Sequence, residues 1–234
     1  TRPDPGPLFY PTSWLLRSSV LALVGVLLAA WSAARRRLEG DQRRAVIVLT
    51  AFSALFCLFM TVGAKKFDRY LLPVHPALDL VAAVGWVSVV PALVALRGAR
   101  APRLPGSGAT VSVTAALAAV LALAGALLAL PHRPYYLTYY NPLAGGAAVA
   151  QRALLVGWGE GLDVIARHLD ARQDAAELEA ASYYRSAFGP LFAGRTVELD
   201  DYDPASVDYF VLYRNQLQRG HFADLVQRLQ AGGE

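Results

Sequence analysis

The sequence predicts a membrane all-α bundle of four transmembrane helices followed by a small extracytoplasmic α/β domain. Three observations support this fold class. Hydrophobic residues make up 55% of the 234 residues and charged residues only 17%, against roughly a quarter charged in an average soluble domain. Four long apolar stretches lie in the first part of the chain, and the charges are unevenly divided, with 13 Lys/Arg against 5 Asp/Glu in residues 1–130 and 9 against 13 in residues 131–234. We therefore expect a transmembrane region over 1–130 and an α/β domain over 131–234, and not a nucleic-acid-binding protein.

Each apolar stretch has about the 20 residues that an α-helix needs to cross the hydrocarbon core. Arg17 lies near one end of the first stretch, where its side chain can extend to the lipid headgroups. Three arginines directly after this stretch distinguish it from a secretory signal peptide. The predicted spans are residues 13–34, 45–64, 71–96 and 110–130.

Loop charges predict the orientation, because Lys and Arg are retained on the cytoplasmic side during insertion. The loops after the first and third spans are rich in arginine and are expected in the cytoplasm. The N-terminus, the loop around Lys65 and the region after residue 130 are then extracytoplasmic. The arginines of these two loops are Arg35, Arg36, Arg37, Arg43 and Arg44, and Arg97, Arg100 and Arg103.

The short loop between the second and third spans places Lys65, Lys66 and Arg69 on the side where basic residues are disfavoured. Two interpretations fit this exception. The cations and neighbouring aromatic side chains anchor the chain at the lipid headgroups. Alternatively they bind one particular phosphate, such as the phosphodiester that links a sugar to a polyprenol, with the Tyr70 hydroxyl as a further donor.

Two ionisable residues follow within the third span. His75 and Asp79 are four residues apart and therefore share one face of a helix. Ionisable side chains inside a membrane helix are candidate functional residues because their burial is unfavourable. The alternative is that both lie near the end of a long span and are hydrated.

The region after the fourth span contains two candidate sugar-facing groups. Tyr139 and Tyr140 lie in a tyrosine-rich stretch that suits either an aromatic belt at the membrane surface or stacking on a sugar. Trp158, Glu160 and Asp163 lie in a glycine loop that leads into an amphipathic helix. The two carboxylates either complement the start of this helix or face a sugar or a cation.

The rest of the tail alternates strand-like and helix-like segments, which predicts a small α/β layer with at least partly parallel strands. Strands are expected over 178–183, 196–199 and 208–213, and helices over 161–171, 186–192 and 221–229.

Four segments carry a family resemblance: KKFDRYLLP at 65–73, YYNPL at 139–143, GWGEGLD at 157–163 and LYRNQLQR at 212–219. They resemble bacterial GT-C type membrane glycosyltransferases, the group of dolichyl-phosphate-mannose-protein mannosyltransferase-like and aminoarabinose-transferase-like enzymes. The resemblance implies sugar transfer from a polyprenyl-phosphate donor to a glycan, lipid or protein acceptor on the outer face of a bacterial plasma membrane. It also implies that Lys65, Lys66, Arg69 and Tyr70 contact the donor phosphate.

The sequence departs from that family at the catalytic carboxylate, which the family carries in its first external loop. Only Asp4 lies in the corresponding region, within a proline-rich stretch. The catalytic residues are therefore left unassigned, and we expect the chain to be the C-terminal portion of a longer enzyme. The alternative is a non-catalytic membrane-anchored protein whose external domain binds a glycan or a protein.

The sequence offers no evident cofactor site. The single cysteine, Cys57, excludes a disulfide framework and a cysteine-rich zinc site. The four histidines are scattered and form no metal-ligand spacing. A divalent cation that acts with the donor phosphate is left open.

Overall fold

The computed structural model describes residues 5–63, 65–98 and 108–231. These residues form two compact units. The helical unit contains the described residues up to Arg133 together with Tyr139–Leu154, and the α/β unit contains Pro134–Thr138 and the described chain from Leu155 onward. Asp4, Arg100 and Arg103, on which two of the sequence interpretations depend, lie outside the described residues.

The helical unit contains seven α-helices within the described residues. Its membrane-length apolar segments are Gly40–Thr61, Val74–Ala95 and Val111–His132, and a bent pair of helices provides a fourth if the pair counts as one span. Three to four segments that can cross a bilayer are compatible with a multi-pass membrane protein. The helices are α1 (Phe9–Arg17), α2 (Val20–Ala34), α3 (Gly40–Thr61), α4 (Val74–Ser88), α5 (Val90–Gly98), α6 (Gly108–Ala129) and α7 (Gly146–Ala153).

The first predicted span differs from expectation, because it is not one helix. α1 and α2 meet at an angle of 115°. Between them Ser18 has an extended backbone, with φ −75° and ψ 146°, which ends α1. Ser19 then caps α2, since its hydroxyl oxygen accepts a hydrogen bond of 3.0 Å from the backbone N–H of Ala22.

α2 and α4 pack closely because small residues face each other. A Cβ atom added to Gly25 would lie 2.7 Å from the Cβ of Ala82, and one added to Gly85 would overlap the carbonyl oxygen of Gly25. Backbones can approach this closely only where side chains are nearly absent, which is the usual basis of helix association in membranes. The exposed side of α4 carries larger apolar side chains such as Leu80 and Val87.

The α/β unit is built on a three-stranded parallel sheet with the strand order β2-β1-β3. Its elements overlap the predicted strands and helices. Ala180 and Ala181 of the central strand point to opposite faces, where they pack against Phe188 and Leu199, respectively. The elements are α8 (Leu162–Asp170), β1 (Glu179–Ser182), α9 (Arg185–Phe188), β2 (Arg195–Glu198), β3 (Tyr209–Val211), α10 (Arg214–Gln218) and α11 (Ala223–Ala231).

Candidate functional site

The cationic loop, residues 65–73, connects the end of α3 to the start of α4. It contains a 3-10 turn over Asp68–Leu71. Lys65 and Arg69 are exposed and Lys66 is half-buried. Since both flanking helices are long and apolar, this loop lies at one end of the helical unit, at the level where hydrocarbon would give way to lipid headgroups.

Aromatic side chains of the loop hold the Arg69 guanidinium. Its central carbon lies 4.4 Å from the ring centroid of Phe67 and 5.7 Å from that of Tyr70. The two rings meet edge to face, with centroids 5.5 Å apart. Cation–π contacts of this kind restrict an arginine side chain to a defined position.

Asp68 is paired with Arg17, which sequence reasoning did not foresee. The Nε and Nη2 atoms of Arg17 donate to Oδ2 of Asp68 at 2.9 and 2.7 Å. Both side chains are shielded, with 15% and 9% of their surfaces exposed. Arg17 therefore extends toward the cationic loop, where its partner is a carboxylate of the protein. The sequence contains one indication of this pair, namely a single arginine in an apolar stretch and a single aspartate in a basic loop.

A second contact fixes Arg17 from the other side. Its guanidinium carbon lies 4.3 Å from the ring centroid of Tyr140. The next residue, Asn141, is fully buried. Its backbone N–H donates to the carbonyl of Leu16 at 2.7 Å, and its side-chain Nδ2 donates to the carbonyl of Ser18 at 2.9 Å. Tyr140 and Asn141 therefore hold the break between α1 and α2.

His75 and Asp79 lie in the first half of α4, one helical turn apart. His75 is half-buried and Asp79 is exposed on the side of α4 that also carries Leu80. Tyr139, a candidate for either an aromatic belt or sugar contact, packs edge to face against His132 with ring centroids 5.3 Å apart. Both of these candidate sites stay predictions.

The glycine loop of the α/β unit is held by Glu160. Its Oε2 accepts a hydrogen bond from the backbone N–H of Trp158 at 2.6 Å and from the Tyr213 hydroxyl at 2.8 Å. Burial raises the pKa of Tyr213, and the bond to Glu160 adds to this effect. Asn215 ties the same loop to α10, since its Nδ2 donates to the carbonyl of Gly157 at 3.0 Å.

Asp163 lies in the first turn of α8, as the sequence predicted. Its carboxylate accepts a hydrogen bond from the Tyr135 hydroxyl and pairs with Arg167 at 2.8 Å. The hydrogen bond from Tyr135 and the nearby guanidinium lower the pKa of Asp163. Glu160 and Asp163 thus both have partners within their own unit, which favours the role in stabilising the loop and helix start.

The candidate sugar-facing residues are distributed over both units. Tyr139 and Tyr140 belong to the helical unit, whereas Trp158, Glu160 and Asp163 belong to the α/β unit. In the described part of the chain, no three His, Cys, Asp or Glu side chains come close enough together to hold a metal ion. A divalent cation, which the sequence leaves open, is not assigned to any described side chain.

No family model matches the sequence, and comparisons with curated proteins and with solved structures give no match. The resemblance to GT-C glycosyltransferases therefore depends on the four sequence segments alone.

Proposed function

We propose that the chain is the C-terminal portion of a membrane glycosyltransferase that uses a polyprenyl-phosphate-linked sugar on the extracytoplasmic face. In this proposal Lys65, Lys66, Arg69 and Tyr70 bind the donor phosphate. One observation carries it: a basic loop joins two membrane-length helices, and its single carboxylate, Asp68, is paired with Arg17, which is largely shielded from solvent.

The chemistry of the donor suits this position. A polyprenyl phosphate keeps its chain in the hydrocarbon and its phosphate at headgroup level. Lys65 and Lys66 supply ammonium charges, and the Arg69 guanidinium supplies paired N–H donors that match phosphate oxygens. A free Asp68 carboxylate would repel the phosphate, and its ion pair with Arg17 offsets that repulsion.

No described side chain is assigned the catalytic role. The proposal places the acid/base carboxylate outside this chain, and we expect the chain alone to bind the donor without transferring its sugar. The acceptor is a glycan, a lipid or a protein, and the bilayer is a partner throughout.

The test is binding of a short-chain polyprenyl-phosphate sugar to the detergent-solubilised chain. The triple variant Lys65→Gln, Lys66→Gln, Arg69→Gln should lose saturable binding, because each charged hydrogen bond to phosphate contributes about 1.5–3 kcal/mol. The matched control is Arg35→Gln, Arg43→Gln, Arg44→Gln, which removes three exposed cations from the end of α2 and the start of α3, at the other end of the helices. This control should bind as the wild type does.

Three results would contradict the proposal. One is the absence of saturable binding by the wild type, and another is equal weakening in both triple variants. The third is an equal loss of binding to the donor and to vesicles of ordinary anionic lipid, which would indicate headgroup anchoring and not a specific phosphate site.

A further inference from the structure

We infer that Arg17 is a positioning residue for the phosphate-binding loop: it sets the placement of Arg69 through the Asp68 carboxylate. The inference rests on the proposed function of that loop. It concerns a residue in another helix, 51 positions earlier in the chain, which no sequence motif connects to the loop.

The Asp68 carboxylate bonds to two different residues, one through each oxygen. Oδ2 of Asp68 accepts both hydrogen bonds from Arg17, at 2.9 and 2.7 Å. Oδ1 accepts the backbone N–H of Arg69 at 3.0 Å. The two oxygens of one carboxylate therefore connect the Arg17 side chain to the Arg69 backbone. Moving Asp68 would displace the backbone from which the proposed phosphate ligand extends.

Arg17 is itself held in position by Tyr140 and Asn141. The carbonyls on either side of it, from Leu16 and Ser18, both accept hydrogen bonds from Asn141. The ring of Tyr140 covers its guanidinium at 4.3 Å. Arg17 is thus held in both its backbone and its side chain, which makes it a rigid support for a loop that is otherwise partly exposed.

Arg17 also neutralises the negative charge of Asp68. A shielded carboxylate that loses its cation keeps an uncompensated charge, which is strongly unfavourable. Here that charge would also lie one residue from Arg69, next to the incoming phosphate. Removing Arg17 should therefore harm donor binding in two ways, through the position of Arg69 and through repulsion by Asp68. Removing the Asp68 charge as well should relieve only the repulsion.

The experiment measures the Kd of the short-chain polyprenyl-phosphate sugar for the full chain in detergent, with thermal unfolding of each variant in parallel. Arg17→Gln should weaken binding by about tenfold or more, the effect of one charged hydrogen bond. The double variant Arg17→Gln, Asp68→Asn should recover part of that loss and bind like Asp68→Asn alone. Arg17→Lys, which keeps the charge, should lie between the wild type and Arg17→Gln.

Arg37→Gln is the matched control, because the Arg37 guanidinium also lies over an aromatic ring, 4.5 Å from the centroid of Trp31, but in a different loop. It should bind the donor normally. Wild-type binding in Arg17→Gln, while the triple Gln variant of the loop loses binding, would overturn the inference and leave the proposed function intact. Loss without recovery in the double variant, together with a matching loss of thermal stability in Arg17→Gln, would also overturn it, since that combination indicates a general structural role. No binding by the wild type would overturn both.

Discussion

At the scale of single residues, Gly157 has a conformation and surroundings that exclude a side chain. Its φ is +88°, and an added Cβ would lie 2.6 Å from Cε1 of the Tyr213 ring. Gly161 in the same loop has nearly the same φ, +87°, but open space where a Cβ would be. Substitutions at the two glycines therefore distinguish the effect of backbone strain, which both share, from that of steric overlap, which only Gly157 has.

We expect Gly157→Ala to destabilise the protein more than Gly161→Ala. Both changes introduce an alanine with positive φ, at about 1–2 kcal/mol each, and Gly157→Ala adds an overlap with Tyr213 of about 1–3 kcal/mol. Urea unfolding of the two variants in detergent, followed by a probe in the α/β unit, measures the difference. Equal destabilisation would mean that the Tyr213 ring moves aside freely.

At the scale of whole elements, the contact between α2 and α4 organises the helical unit. Beyond the small residues, the Ser32 and Ser88 hydroxyls lie 2.7 Å apart, and Nε1 of Trp86 donates to the carbonyl of Leu21 at 3.0 Å. Such interhelical hydrogen bonds need the close approach that glycine and alanine permit. The contact is therefore sensitive to a single added methyl group.

Gly85→Ala should destabilise the helical unit by about 1–3 kcal/mol, because the new methyl group meets the backbone of α2 and not a flexible side chain. Gly125→Ala in α6 is the control, since its Cβ would find only Leu21 Cδ1 at an ordinary 3.9 Å. Alanine favours helix over glycine by about 1 kcal/mol, so this control should be neutral or stabilising. Unfolding in increasing SDS compares the two variants, and a neutral Gly85→Ala would argue against the close packing.

The secondary-structure elements differ in how far the sequence predicts them. β2 and β3 are predictable because they contain β-branched and aromatic residues, whereas the central strand β1, with the sequence EAAS, contains neither kind. The bend after α1 is not predictable, because hydropathy registers only apolar content, and the Ser18–Ser19 break carries neither Pro nor Gly. That break is held by Asn141, more than 120 residues later. The Arg17–Asp68 pair escapes prediction for the same reason, whereas the cations of the loop are evident in the sequence.

At the scale of the whole molecule, the charge division predicts which way the chain crosses the membrane. The arginine-rich loop between α2 and α3 is expected in the cytoplasm. The cationic loop at the other end of α3 is then outside, which is the side where a polyprenyl-phosphate donor would be used. The number of crossings depends on the bent pair, since α1 and α2 either traverse the bilayer together or do not.

Labelling with a membrane-impermeant maleimide in intact cells tests this topology. Cys57 is first replaced by serine, and single cysteines are then placed at three exposed positions, Leu8, Arg35 and Gln173. With four crossings, Leu8→Cys and Gln173→Cys should react from outside, whereas Arg35→Cys should react only after permeabilisation. Protection of both Leu8→Cys and Arg35→Cys would mean that the bent pair does not cross. External reaction of Arg35→Cys together with protection of Gln173→Cys would indicate the reversed orientation. The cationic loop would then lie on the side of the membrane opposite to the proposed donor.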